Sequence, residues 1–428
     1  MKHSSKELQN AERRAGLATG LSLLFPITLS TMAIVLLAPV LPKLQAEFAS
    51  VPDVDYWAPM VITTPAICIA ALSPIAGAIG DYFGRRRLLL ASFVLYGIVG
   101  LAPLVLHDLK AILISRIAVG VAEALVMTLS TTLIGDYFEG ERRDRWLAAQ
   151  TAVASLSALL FFNIGGYLGS FGWRTPFWVY GSAFIMMAAV LAFTWEPEVR
   201  DASGAMHTAH QAGWKGFPWP ALLLTLAVTI FGSVFFYVVQ IEASSALNLL
   251  GLSDTTRIGF YTSIASLGVP IGTFIYGRLA THKVVYLLAA EFSLLCVGFA
   301  TMATAHGMFQ FLAGCALNQL GAGMLLPTLL VWAMSHLNFE FRARGTGLWQ
   351  SALALGQFLS PVVVVALQRH TGSLFGAFSI LSAACLAGAT AAAVTAVIVG
   401  TKRARARDAG GEQIARHSTC QGEMGQRR

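Results

Sequence analysis

Ten stretches of this sequence run for about twenty residues or more without one Asp, Glu, Lys or Arg: 15–42, 56–80, 88–106, 146–173, 175–195, 216–241, 258–277, 307–335, 345–368 and 371–401. Each is near or above the roughly 18–20 residues that carry a helix across ~30 Å of hydrocarbon. Two further apolar stretches are as long but hold ionisable residues, Arg116 and Glu123 within 111–135 and Glu291 within 284–305. Twelve spans are therefore predicted. Backbone amides find no water in a bilayer core, so these spans are expected to be helices with their N–H groups bonded inside each segment. The ~10-residue alternating segments of a membrane barrel are missing. The expected fold class is an all-α integral membrane protein.

Composition agrees. The chain of 428 residues is 56% hydrophobic and only 12% charged, with a mean hydropathy of +0.66, too little polar surface to coat a water-soluble globule of this size. The first apolar run is too long for a signal-peptide core, and no small-residue cleavage site precedes a soluble domain, so it is expected as a retained helix. The five cysteines (Cys68, Cys296, Cys315, Cys385, Cys420) show no metal spacing and no C-x-x-C pattern; they are expected as small apolar packing residues.

Basic residues set the expected orientation. With both termini in the cytoplasm, the tails and even-numbered connections hold 23 of the 29 Lys and Arg residues, as the positive-inside rule requires. The net charge of +7 is then topology and calls for no nucleic-acid partner, while the basic tail TKRARARDAG is suited to anionic lipid. A plasma membrane, multi-pass location is expected; the lack of an N-x-[ST] sequon fits a bacterial inner membrane.

The chain divides in the middle. The expected parts are a cytoplasmic tail (1–14), a six-helix bundle (15–195), a polar linker (196–217), a second six-helix bundle (218–401) and a basic tail (402–428). His207 and His210 in the linker have no partners for a metal and are expected as solvated residues. A shift of about 200 residues aligns Gly77 with Gly277, Gly120 with Gly321, Arg143 with Arg344 and Gln150 with Gln350, so the halves read as diverged repeats. Such repeats place a binding site between two pseudo-symmetric bundles near the membrane midplane.

Charged punctuation is also repeated. IGDYF occurs at 79–83 and again at 134–138, each marking a helix that leaves the bilayer on the same side. Gly77, Asp81, Gly84, Arg85 and Arg86 spell G-x-x-x-D-x-x-G-R-R. Close helix approach at Gly77, a turn at Gly84 and Asp81 facing a helix N-terminus are the expected physical reasons. This pattern resembles the loop 2–3 signature of the major facilitator superfamily, and the twelve spans, central linker and six-plus-six repeat agree over roughly 15–400. Tyr82 stands where that signature has a basic residue. The resemblance implies that the loop latches the cytoplasmic side, with Asp136, Arg142, Arg143, Arg342 and Arg344 as secondary charges on the same face.

The stretch SRIAVGVAEALV (115–126) is similar to the family's span 4 signature. Arg116, Gly120 and Glu123 lie at i, i+4 and i+7, on one helix face, with the charges about 10 Å apart along the axis. Intramembrane charges are functional by default. Span 5 reads FFNIGG, so Phe161 and Phe162 replace the Gly-Pro of the drug/proton antiporter signature, while Gly165 and Gly166 keep its close-packing pair. Asn163, Gln240, Asn318, Gln319, Gln350 and Gln357 are further cavity candidates, although interhelical hydrogen bonds are common glue for such residues. Glu242 and Glu291 rank below Glu123.

These features point to a secondary transporter, with proton-coupled efflux of amphipathic compounds as the first reading and proton-coupled uptake of a small organic anion, countered by Arg116, as the second. No G-x-x-x-x-G-K-[ST] nucleotide site occurs, and the histidines fall near span ends, where they build no intramembrane catalytic set. The expectation is a non-enzyme that works as a monomer without a cofactor, using protons, a small-molecule substrate and the lipid bilayer as its partners.

Overall fold

The computed structural model describes residues 15–196, 217–338 and 341–398. The two expected tails, the linker interior with His207 and His210, and the side chain of Arg342 lie outside the described residues. Among the described residues, twelve helices are long and apolar enough to cross a membrane. In chain order they are α1 (Leu17–Glu47), α2 (Val54–Phe83), α3 (Arg85–Leu104), α4 (Leu109–Tyr137), α5 (Gly140–Ser170), α6 (Thr175–Phe193), α7 (Trp219–Leu249), α8 (Thr255–Leu279), α9 (Val284–Ala303), α10 (Met308–Ser335), α11 (Arg344–Thr371) and α12 (Leu374–Ile398).

The charge-free stretches locate the spans but miss their ends. Helix α1 continues past residue 42 through Lys43, whose ammonium donates to the Gly169 carbonyl of α5 at 2.8 Å. Helix α3 begins on Arg85, three residues before its apolar run, because a cationic first turn can sit outside the hydrocarbon while its backbone is already helical.

Six helices pack around each of two apolar cores. Leu23, Met32, Phe93, Tyr96, Phe162, Phe177 and Tyr180 fill the first; Phe235, Phe299, Phe311 and Phe378 fill the second. Large apolar side chains also point outward, among them Ile185 (74% exposed) and Phe309 (77%). A water-soluble protein would hide these; a bilayer solvates them. One proline break is met by a neighbouring side chain, as lipid requires. Pro327 inside α10 leaves the Gly323 carbonyl without its helical donor, and the Thr273 hydroxyl of α8 supplies one at 3.0 Å.

The helices alternate in direction, so Arg85–Arg87, Arg142–Arg145, Arg278, Lys283 and Arg344 share one end of the molecule, the basic face. Lys43, Lys110, Arg174, Arg257 and Arg369 lie toward the other end. Near this opposite face the bundles touch closely through α5 and α8. A Cβ on Gly166 would stand 2.5 Å from the Thr255 carbonyl oxygen, and one on Gly259 2.3 Å from that of Phe162, so only glycine permits this approach.

Candidate functional site

On the basic face, α2 stops where Gly84 adopts φ +89° and α3 restarts at Arg85. Arg85 then joins both copies of the repeated pentapeptide: its Nε donates to Asp81 at 2.8 Å and its Nη1 to Asp136. The expected role of Asp81 at a helix N-terminus is corrected here. It lies side-on to Arg85 one turn away, and the group that meets the first N–H groups of α3 is Glu196, accepting from Arg86 N at 3.1 Å and Arg87 N at 3.2 Å. The Arg86 guanidinium donates to Thr194 Oγ1 at 3.0 Å and the Leu191 carbonyl at 3.1 Å. These contacts tie α2, α3, α4 and the end of α6 together within the first bundle. The close approach expected at Gly77 is not made in this structure: among the described residues nothing stands within 4 Å of where its Cβ would be, and the same holds for Gly277, its partner in the repeat. Arg142 is exposed, Arg143 meets its neighbour Asp144 at 3.3 Å, and Arg344 is half-buried.

Deeper in the first bundle, Arg116 is 0% exposed. Its Nη2 donates to the Tyr180 hydroxyl at 2.6 Å, and its Cζ lies 4.7 Å from the Tyr180 ring centre and 5.7 Å from that of Phe177. Tyr180 stacks in turn on Tyr96 of α3. Cation–π contact with desolvated aromatic faces is worth about 2 kcal/mol, which offsets part of the cost of burying a cation. Nε and Nη1 have no hydrogen-bond partner among the described residues. Glu123, two turns along, is 2% exposed, with Ser30 of α1 as its hydrogen-bond neighbour and Oε2 without a partner among the described residues. Tyr237 of α7 lies within electrostatic reach of Glu123 and packs against both cores, so it stands where the bundles meet.

The second bundle presents amides instead of charges. Gln240 Nε2 of α7 donates to Gln319 Oε1 of α10 at 2.6 Å, and Gln319 Nε2 reaches Phe236 O and Asn318 Oδ1, both at 3.4 Å. Gln357 is buried on α11 and Gln350 half-buried. Asn163 is half-buried, and its amide donates to the Leu159 carbonyl of its own helix at 2.7 Å. Among the described residues the remaining buried carboxylates are Glu242, 4% exposed, and Glu291, 0% exposed. Glu291 accepts from Thr328 of α10 at 2.5 Å. Glu196, Tyr180 and Tyr237 were not among the sequence candidates. Aromatic residues in apolar helices carry no periodic signal that separates a cage from ordinary packing, and Glu196 looks like the first residue of a linker.

Buried charges on α4 of the first bundle and buried amides on α7 and α10 of the second thus stand in one twelve-helix membrane fold. The model of the Major Facilitator Superfamily matches residues 23–361, and the chain belongs to this family of membrane transporters. It is 21% identical over 355 residues to the quinolone resistance protein NorA of Staphylococcus aureus strain MSSA476, covering 81% of this chain and 88% of that one. It is 30% identical over 161 residues to the uncharacterized MFS-type transporter YceJ of Bacillus subtilis strain 168, a match that spans 37% of this chain and only 40% of that protein. Among solved structures, the D-xylose-proton symporter superposes with a TM-score of 0.70 at 16% identity, covering 87% of this chain and 96% of that chain. A bacterial homologue of the human lysosomal transporter Spinster, inward-facing and unoccupied, superposes with a TM-score of 0.69 at 15% identity over 88% of this chain and 95% of that chain.

Proposed function

We propose that this transporter exports amphipathic small organic molecules by alternating access, driven by protons exchanged at Glu123, from a bacterial inner membrane with both termini in the cytoplasm. The observation that carries the reading is the Glu123 carboxylate. It is buried on α4, with one oxygen unpartnered among the described residues, and lies within electrostatic reach of Tyr237 in the other bundle. A carboxylate so placed changes its surroundings whenever the bundles rock, and a change of surroundings changes its proton affinity. The tight Gly166–Gly259 approach supports a conformation that is closed on the face opposite the basic one. The likeness to NorA, named for quinolone resistance, supports export of drug-like compounds. Around Arg116 the aromatic cage leaves little room for a substrate anion, which ranks organic-anion uptake second.

The test uses reconstituted vesicles with an imposed pH gradient. Glu123→Gln keeps the shape and removes the titrating group, so gradient-driven accumulation is expected to vanish while exchange at equal pH persists. Uphill transport at wild-type proton stoichiometry in the mutant overturns the assignment. Cysteines placed at Ser4 and Gly411, in a background without native cysteines, are expected to react with an impermeant reagent only after the membrane is opened.

A further inference from the structure

Asp53, between α1 and α2, has φ 58° and ψ 31°, and among the described residues it alone, other than glycine, holds a positive φ. It occupies the N-cap position of α2, where an aspartate ordinarily accepts a hydrogen bond from the first turn of its own helix. Its side chain makes no such bond. The carboxylate instead accepts from Arg369 Nη2 at 2.6 Å, across 316 residues of sequence. Tyr56, one turn into α2, places its ring centre 4.4 Å from the Arg369 Cζ. Arg369 sits in the last turn of α11, where a cation complements the helix C-terminus. One residue of the first bundle thus gives up its local cap and adopts an unfavourable backbone conformation to hold a cation of the second bundle.

We propose that Asp53, Tyr56 and Arg369 form a lock between the bundles on the face opposite the arginine cluster, engaged in this conformation and released when that face opens. It lies toward the same face as the Gly166–Gly259 contact. The division of labour is physical. The glycines give close packing, which is insensitive to salt, whereas the half-exposed ion pair, 48% and 59% accessible, gives a modest, screenable attraction. Two transport states close in free energy are shifted by a term of that size, which a globular protein of ordinary stability would hardly register.

The test reads accessibility and needs neither substrate nor proton gradient, so its failure leaves the Glu123 proposal standing and the converse also holds. In protein lacking native cysteines, Thr255→Cys places a thiol at the closed α5–α8 contact, where Thr255 is 3% exposed. In nanodiscs an impermeant maleimide reaches both faces. Asp53→Asn keeps a residue that tolerates the left-handed conformation and removes the charge; Arg369→Gln removes its partner. Each is expected to raise the labelling rate about two- to fivefold, the range that an exposed ion pair supports, and the double mutant to match the single ones. Raising salt from about 0.05 to about 1 M should speed labelling of the parent and leave the mutants unchanged. Additive single-mutant effects or salt-independent labelling of the parent overturns the lock.

Discussion

The two IGDYF copies share five residues and almost nothing else. In the first, Tyr82 is 84% exposed and Phe83 61% exposed. In the second, the Tyr137 hydroxyl donates to the Trp195 carbonyl and accepts from the Trp195 N–H, while Phe138, 4% exposed, packs on Trp146. The difference comes from what lies over them: the end of α6 reaches the second copy, whereas the side chains of the first project from the α2–α3 turn. Only the aspartates converge, on Arg85. A repeated motif therefore reports a common electrostatic task at one position and leaves the burial of the others to the fold.

Paired substitutions can break this comparison. The largest difference is expected at the phenylalanines: Phe138→Ala removes a buried ring and should cost about 3–5 kcal/mol, while Phe83→Ala should stay within about 0.5 kcal/mol, both read as thermal unfolding of purified protein in detergent. Equal losses would mean that the first copy is buried too.

Opposite signs are expected at the glycines. A Cβ on Gly80 would stand 2.4 Å from Leu129 Cδ2, and Leu129 is itself 0% exposed, so Gly80→Ala should destabilise by about 1–3 kcal/mol. Among the described residues Gly135 has nothing within 4 Å of where its Cβ would be, and Gly135→Ala should gain up to ~1 kcal/mol from helix propensity. Matching signs in the two melting curves would sink this reading.

For the tyrosines, Tyr137→Phe removes both bonds to Trp195 and should cost about 1 kcal/mol, while Tyr82→Phe should change nothing measurable in the same assay. The smallest effect is at the aspartates. The Asp136 side chain is 22% exposed and that of Asp81 56%, so Asp136→Asn should weaken the cluster more than Asp81→Asn, each by less than about 1 kcal/mol. The reactivity of a cysteine at Gly77 is the sensitive readout; a larger effect from Asp81 would restore it as the principal contact of the turn.

Part of the candidate site was legible in advance. Arg116 and Glu123 announce themselves because two ionisable residues in an apolar run cost too much to be accidental, and a spacing of seven puts them on one helical face. Gln240 and Gln319 were visible as polar residues at depth, but not as a pair, since 79 residues separate them. A glycine in a helix, as at Gly77, signals that a neighbour can come close without saying in which conformation it does so.

The sequence by itself determined the twelve helices, their division into two halves and the charged face. Lipid leaves the backbone one economical conformation, and charge is expensive in hydrocarbon, so one-dimensional hydropathy carries almost all of that information. Only the tertiary structure decided that Glu196 meets the N-terminus of α3, that Tyr180 and Phe177 cage Arg116, and that Asp53 holds Arg369. Each of these joins residues brought close by helix packing from distant parts of the chain, and no local period or composition records which faces will meet.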